Sequence, residues 1–122
     1  GVLASAHDSS DGGLAVALAE SALASGLGVD LSLPHGSARL DRVLFAEGGA
    51  RIVVSVRAEQ RTAWQDLVAS QEHQSVPVTE IGTVSDDGCF RLAVGNHPVI
   101  NLPVETLREH YEQAIPRLLG AV

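Results

Sequence analysis

Apolar residues in the first third of the chain recur at two spacings, one typical of strands and one typical of helices. The apolar run over 1–7 predicts a strand, and apolar positions over 12–25 recur at helical spacing. Gly26 follows this helix, as glycine commonly does at a helix end. Apolar and polar residues then alternate over 29–33, which predicts a half-buried strand that Pro34 stops.

The middle of the chain continues the alternation of helices and strands. Ser37 is a candidate N-cap for a short helix that runs through Phe45. The run over 51–56 is dense in β-branched residues and predicts a central strand. A second long helix is predicted from apolar and amide side chains at helical spacing, namely Trp64, Leu67, Val68 and Gln71.

The last third predicts paired strands and a closing helix. The runs over 76–84 and 89–94 flank Ser-Asp-Asp-Gly at 85–88, and the Asp-Gly step predicts a hairpin between them. A strand over 99–102 leads to Pro103, a favoured first helical residue. The closing helix has one apolar stripe: Val104, Leu107, Tyr111, Ile115 and Leu118. The order β-α-β-α-β-α-β-β-β-α predicts an α+β (α/β layered) fold, with a mixed β-sheet covered by helices.

Composition excludes several function classes. Apolar residues make up 45% of the 122 residues and aromatic ones 3%, so the core must be aliphatic. The net charge of −7 comes from 15 acidic residues against 8 basic ones, all of them arginine. An acidic chain without a basic cluster is a poor binder of nucleic acid or of a membrane surface. No apolar run approaches the roughly 18 residues that a membrane span needs.

Two further features concern the setting of the chain. Cys89 is the single cysteine, which excludes an internal disulfide and fits a reducing, cytoplasmic compartment. The chain contains no methionine and begins inside a predicted strand. We therefore expect residues 1–122 to be a single domain that belongs to a longer polypeptide.

The turn after the first strand, His-Asp-Ser-Ser-Asp-Gly-Gly at 7–13, is the strongest candidate for a binding site. Gly12 and Gly13 would let the backbone approach a ligand closely, and the following helix offers free N–H groups to an anion. Asp8 and Asp11 could hold a magnesium ion. The alternative is structural: a serine or Asp11 caps the helix while the glycines make the turn. The residues alone leave both alternatives open.

Other polar residues predict less chemistry. Glu47 and Arg51 stand four apart where a helix passes into a strand, so they could bind a substrate or form an ordinary ion pair. Cys89 has no evident activating partner. The other histidines lack metal-ligand spacing and are expected at the surface or at helix ends: His35, His73, His97 and His110. No catalytic residue and no metal site is predicted.

Four ordered blocks resemble a known family. They are SAHDSSDGGLAVALAE at 5–20, LFAEGGARIVVSV at 44–56, EIGTVSDDG at 80–88 and YEQAIPRLL at 111–119. Together they resemble the C-terminal end of phosphoribosylformylglycinamidine synthase, the large synthetase subunit of purine biosynthesis. The resemblance implies a C-terminal domain of the aminoimidazole-ribonucleotide-synthetase-like superfamily, in the second half of a duplicated chain.

The resemblance also implies an activity for the whole enzyme. Formylglycinamide ribonucleotide and glutamine-derived ammonia would give the amidine, with ATP converted to ADP and phosphate and Mg²⁺ as a further cofactor. The implied partners are the remaining domains of the same chain, a glutaminase subunit and a small accessory subunit, without nucleic acid or membrane. The fragment alone is expected to be inactive, to require no cofactor and to self-associate, with the interface near 8–14.

Site residues carried over from the resemblance are few. The turn contributes Asp8, Ser10, Gly12 and Gly13 as substrate- or nucleotide-binding candidates. A Glu-Ser-Gln stretch of the family corresponds to Glu47-Gly48-Gly49 here, so Glu47 is kept while two hydrogen-bonding side chains are missing. Two alternatives remain: a self-sufficient nucleotide-binding module that uses the turn, or the equivalent domain of a sister synthetase or kinase.

Overall fold

The computed structural model describes residues 1–70 and 76–120. Its elements are, in chain order, β1 (Leu3–Asp8), α1 (Gly13–Ser25), β2 (Gly28–Leu33), α2 (Leu40–Phe45), β3 (Ile52–Val56), α3 (Arg61–Ala69), β4 (Gly82–Ser85), β5 (Cys89–Val94), β6 (His97–Pro103) and α4 (Val104–Leu118). A 3-10 turn, Ala58–Gln60, precedes α3. The predicted order of helices and strands is confirmed.

The strands form two sheets. A four-stranded mixed sheet has the order β4-β2-β5-β6, in which β2 and β5 are parallel and the other neighbours antiparallel. The remaining strands, β1 and β3, form a separate antiparallel pair. The predicted α+β fold class with a mixed sheet and helices is confirmed, while the division into two sheets was not predicted.

The core lies between one face of the four-stranded sheet and the helices. Across β2 and β5, Leu31 is level with Leu92 and Leu33 with Val94, and all four side chains are buried. The sheet packs against α1, which contributes small and medium side chains: Ala15, Leu18 and Ala22. Phe90, Leu44 and Val104 complete the buried cluster. As the composition required, aliphatic side chains dominate the core.

The predicted hairpin between β4 and β5 is wrong, because β2 lies between these strands. The turn at 85–88 passes over the start of β2, at Gly28. A Cβ on Gly28 would lie 2.6 Å from the Asp87 carboxylate and 2.6 Å from the Cys89 carbonyl, so only glycine fits beneath the turn. The hairpin in the structure joins β5 to β6, where Val94 pairs with His97 across a two-residue turn.

Three boundaries also differ from the prediction. Ser37 does not cap α2, because the helix begins at Leu40 and its N-cap is Arg39. Only the last part of 76–84 joins a sheet, as β4. Pro103 ends β6 and is the N-cap of α4 rather than its first residue. Gln71, predicted to lie in α3, is outside the described residues.

The closing helix is confirmed, but its apolar stripe is only partly covered. Val104 is buried and Leu107 packs against the core, whereas Tyr111, Ile115 and Leu118 are exposed. Within 1–70 and 76–120, no helix combines the length and the apolar character needed to cross a lipid bilayer.

Candidate functional site

The predicted glycine turn connects β1 to α1. Asp8 is the last residue of β1, opposite Ile52 of β3, and the Ser9 amide donates a hydrogen bond to the Arg51 carbonyl at 2.9 Å. The Gly13 amide donates to the Ser10 carbonyl at 3.2 Å, which closes the turn. The chain therefore folds back through backbone hydrogen bonds.

Both glycines of the turn have backbone conformations that side chains disfavour. Gly12 has φ +83° and Gly13 φ +76°. A Cβ on Gly13 would lie 2.6 Å from the backbone carbon of Phe45, at the end of α2. On Gly12 it would meet the Val16 side chain at 2.6 Å. Gly13 is thus required both by its dihedral angle and by the close approach of α2.

Glu47 contacts this turn directly. Its Oε1 atom accepts a hydrogen bond from the Gly12 amide at 2.8 Å, although the two residues are 35 positions apart. Of the candidate residues, the structure therefore joins Glu47 to Gly12, while Asp8 and Ser10 are exposed on the same turn. A phosphate at the Gly12 amide would have to displace a carboxylate of the same charge.

Arg51 has a different partner from the one expected. Its Nη2 atom donates to the Ala46 carbonyl at 2.9 Å, and none of the ion pairs in the described residues joins Arg51 to Glu47. The predicted Glu47–Arg51 ion pair is therefore wrong. Each side chain instead forms a hydrogen bond with the backbone: Glu47 with the Gly12 amide in the turn, and Arg51 with the Ala46 carbonyl in its own loop.

Two buried polar atoms near the turn were not predicted from the sequence. The Ser9 hydroxyl and the Arg51 Nε are inaccessible to water and have no hydrogen-bond partner among the described residues. Their residues are neighbours because the Ser9 amide bonds the Arg51 carbonyl. No local pattern could have indicated this contact, since Ser9 and Arg51 are 42 positions apart in the sequence.

His7, the second-last residue of β1, makes two side-chain contacts. Its Nδ1 lies 2.7 Å from the Asp8 carbonyl oxygen, to which it donates, and its Nε2 lies 3.1 Å from Glu20 Oε2 on α1. The imidazole side chain is about one-third exposed, at 32%. The Glu20 contact ties the end of β1 to α1, which the sequence did not predict.

A second polar cluster lies away from the glycine turn, at the turn 85–88. Asp87 Oδ1 accepts hydrogen bonds from the Ser85 hydroxyl at 2.7 Å and the Cys89 amide at 3.0 Å, and Oδ2 accepts one from Arg91 at 2.7 Å. These hydrogen bonds lower the pKa of Asp87 from 3.8 to about 2, and the bond from the Ser85 hydroxyl has the largest effect, followed by the one from Arg91. All three donors belong to the turn or to β5, so the cluster is structural.

The remaining candidates do not assemble. In the described part of the chain, no three His, Cys, Asp or Glu side chains are placed to hold a metal ion. A cavity of about 210 Å³ lies on the outer face of the four-stranded sheet, where Asp30, Arg91 and Asn101 supply its polar lining. It involves none of the predicted site residues. His73 lies outside the described residues.

Comparison with known proteins connects this geometry to a family. A family model described as AIR synthase related protein, C-terminal domain, matches residues 1–95. Phosphoribosylformylglycinamidine synthase subunit PurL of Synechococcus sp. is 62% identical over 120 residues, which cover 98% of this chain and 16% of the relative. The subunit of the same name from Synechocystis sp. is 42% identical over 114 residues, covering 93% of this chain and 15% of the relative.

Solved structures share the fold. Phosphoribosylformylglycinamidine synthase II from Thermotoga maritima matches 87% of this chain and 18% of its own, with a TM-score of 0.69 and 18% identity. T. maritima PurL complexed with FGAR has a TM-score of 0.71 at 18% identity over the same shares. The family model covers more than half of the residues given, and the fold agrees. The chain therefore belongs to the family of AIR synthase related proteins, as the C-terminal domain of that family.

Proposed function

We propose that this chain is the C-terminal domain of a phosphoribosylformylglycinamidine synthase, with residues 1–122 forming a single domain of a longer polypeptide. The observation that carries the proposal is the identity of up to 62% to PurL subunits over 98% of the chain. The chain spans only 15–16% of the length of these curated relatives. It supplies one domain, and the complete polypeptide supplies the activity.

The proposed reaction joins ammonia to formylglycinamide ribonucleotide in purine biosynthesis. ATP, with Mg²⁺, would supply the phosphoryl group that activates the amide oxygen, and ammonia from glutamine would displace phosphate to leave the amidine. The described residues offer no cluster for a metal ion, and the Gly12 amide already bonds Glu47. The proposal therefore assigns no catalytic step to this domain.

The candidate residues receive a structural role in this proposal. Glu47 fixes the loop after α2 to the glycine turn, while Gly12 and Gly13 permit the turn and the approach of Phe45. Asp8 and Ser10 are exposed on the same turn and remain the positions through which it could contact a nucleotide. The proposed partners are the remaining domains of the polypeptide, a glutaminase subunit and a small accessory subunit, in the cytoplasm.

A second candidate function is a nucleotide-binding module that acts by itself. The observation that favours it is the exposed Asp8 and Ser10 beside two glycines of positive φ. Calorimetric titration of the 122-residue chain with ADP and Mg²⁺ separates the two functions. We expect no heat of binding, whereas heat that the Asp8→Asn variant abolishes would establish the second function.

Activity of the complete polypeptide tests the leading proposal. With formylglycinamide ribonucleotide, ATP, Mg²⁺ and ammonium chloride, we expect ADP release that depends on the ribonucleotide. The 122-residue chain alone should release none under the same conditions. A complete polypeptide that releases no ADP in response to formylglycinamide ribonucleotide would contradict the proposed reaction. Substrate-dependent release by the 122-residue chain alone would contradict its structural role.

A further inference from the structure

The apolar stripe of α4 begins in the core and continues on the surface. Val104, its first residue, is 3% exposed and belongs to the buried cluster. Beyond the second turn, Tyr111 is 66% exposed, Ile115 69% and Leu118 86%. These residues are three or four positions apart, so they share one side of the helix. The same stripe is therefore covered at one end and uncovered at the other.

The change in burial follows from the contact between α4 and α1. Arg108 Nη2 donates to the Leu23 carbonyl at 2.8 Å, close to the end of α1 at Ser25. The covered residues of the stripe, Val104 and Leu107, come before Arg108, and the exposed ones come after it. The domain thus covers only the first part of a helix about 22 Å long.

The side of α4 opposite the stripe carries charged residues. Arg117 pairs with Glu109 on that side. Arg108, four positions after Val104, lies at the edge of the stripe next to α1, where it pairs with Glu105 at 3.4 Å and with Glu112 at 3.5 Å. Charged residues on one side and an apolar stripe on the other are typical of a helix that packs against a neighbour. Among the described residues, no element packs on the stripe in the second half of α4, where Tyr111, Ile115 and Leu118 are exposed.

We propose that the docking stripe of α4, defined as Tyr111, Ile115, Leu118 and the C-cap residue Leu119, packs against the part of the complete polypeptide that precedes Gly1. This inference rests on the proposed function, because it requires the longer synthetase chain. This chain covers only 15–16% of its curated relatives. Most of a polypeptide of that length therefore lies outside this domain and is available as a partner. Covalent connection supplies that partner at high effective concentration.

A second copy of the domain fits the docking stripe less well. Four side chains on one helix present a patch of a few hundred Å², whereas a stable complex buries about 800 Å² on each partner. A contact within one polypeptide can be smaller, because the linked domains do not lose the entropy of association. The area therefore favours the same chain over another copy.

Cysteine labelling of the native complete polypeptide tests the docking stripe. Leu118→Cys places a thiol on the stripe, and Glu109→Cys is the matched control. Glu109 is two positions before Tyr111, so it faces about 200° away around the helix. A small maleimide is added, and mass spectrometry of the peptides follows each position separately from Cys89 and any other thiol. Leu119→Cys provides a second position on the stripe if Leu118→Cys does not fold.

We expect the stripe cysteine to be labelled at least tenfold more slowly than Glu109→Cys, and at the same rate in denaturant. Adding Ile115→Asp should restore much of the lost rate. Equal rates in the native polypeptide would overturn the proposal. So would protection that disappears on dilution, since it would show that a second copy is the partner.

The labelling result is independent of catalysis. A polypeptide that protects Leu118→Cys but releases no ADP contradicts the proposed function and leaves a covered stripe. An active polypeptide that labels both positions equally contradicts the docking alone.

Discussion

Gly13 combines two physical requirements that can be measured separately. Gly13 and Gly49 have similar backbone conformations, with φ +76° and +80°. In 1–70 and 76–120, no heavy atom beyond its chain neighbours lies within 4 Å of a Cβ added at Gly49, whereas at Gly13 the backbone of Phe45 lies 2.6 Å away. The pair therefore distinguishes the cost of the dihedral angle from the cost of the close packing.

We expect Gly49→Ala to lower the free energy of unfolding by about 1 kcal/mol, the usual cost of a side chain at positive φ. Gly13→Ala should cost a further 1–3 kcal/mol or so, because α2 must also move away from α1. Urea unfolding of both variants measures the difference. Equal losses would show that Phe45 yields without cost and that α2 is loosely held.

Substitution of Glu47 tests whether its hydrogen bond to the Gly12 amide stabilises the turn. Glu47→Ala removes the acceptor of the Gly12 amide, and we expect it to lower the free energy of unfolding by about 0.5–1.5 kcal/mol. Glu47→Gln keeps an oxygen acceptor and should lose less. An unchanged stability in both variants would contradict the structural role of Glu47.

At the level of elements, the turn between β4 and β5 depends on one carboxylate. Asp87 binds three donors, and its pKa falls from 3.8 to about 2 on folding. A lowered pKa in the folded state means that the charged carboxylate stabilises the fold above about pH 4. This stabilisation is lost progressively as the pH falls from 3.8 through about 2.

We therefore expect Asp87→Asn to be less stable than the original chain at pH 6, with a difference that narrows between pH 4 and pH 2. Thermal unfolding at a series of pH values measures it. Asp86→Asn is the matched control, since Asp86 is the exposed neighbour in the same turn. A difference that persists unchanged at pH 2 would show that the charge of Asp87 does not support the turn.

The same turn shows how an element can be predicted while its pairing is not. The Asp-Gly step correctly marks a reversal between β4 and β5, but β2 enters between them. Leu31 and Leu33 of β2 lie beside Leu92 and Val94 of β5, so insertion places four aliphatic side chains next to one another in the core. Burial of apolar surface stabilises a fold roughly in proportion to the area removed from water, which favours this arrangement.

For the whole molecule, exposed apolar surface determines whether the separated domain self-associates. The resemblance predicts an interface of the separated domain near 8–14, yet Asp8, Ser10 and Asp11 are exposed polar residues and Gly13 is buried. Large exposed apolar side chains occur in several elements, and four of the most exposed follow one another at the end of the chain: Tyr111, Ile115, Leu118 and Leu119. Self-association remains a prediction, and the structure favours α4 as the surface that would carry it.

We expect the 122-residue chain to show weak, concentration-dependent self-association in sedimentation experiments up to the millimolar range. Ile115→Asp should weaken it, because a carboxylate in the stripe would have to be desolvated. His110→Asp adds the same charge at an exposed polar position of the same helix and is the control. A strictly monomeric chain at every concentration would contradict this prediction.

Local spacing along the chain determined the order of the helices and strands, the aliphatic core and the position of the glycine turn. These features depend on residues close together in sequence, whose apolar periodicity is visible without any partner. Four ordered blocks of residues likewise indicated a C-terminal domain of the aminoimidazole-ribonucleotide-synthetase-like superfamily, and the match of the family model to residues 1–95 confirms that assignment.

Only the tertiary structure decided what each element meets. The Glu47–Gly12 bond spans 35 positions, β2 separates β4 from β5, and α1 covers α4 only as far as Arg108. A pattern of apolar residues specifies which side of an element avoids water but not which distant segment will cover it. That choice depends on the summed burial and hydrogen bonding of the whole chain, and for the end of α4 we infer that it depends on polypeptide beyond these residues.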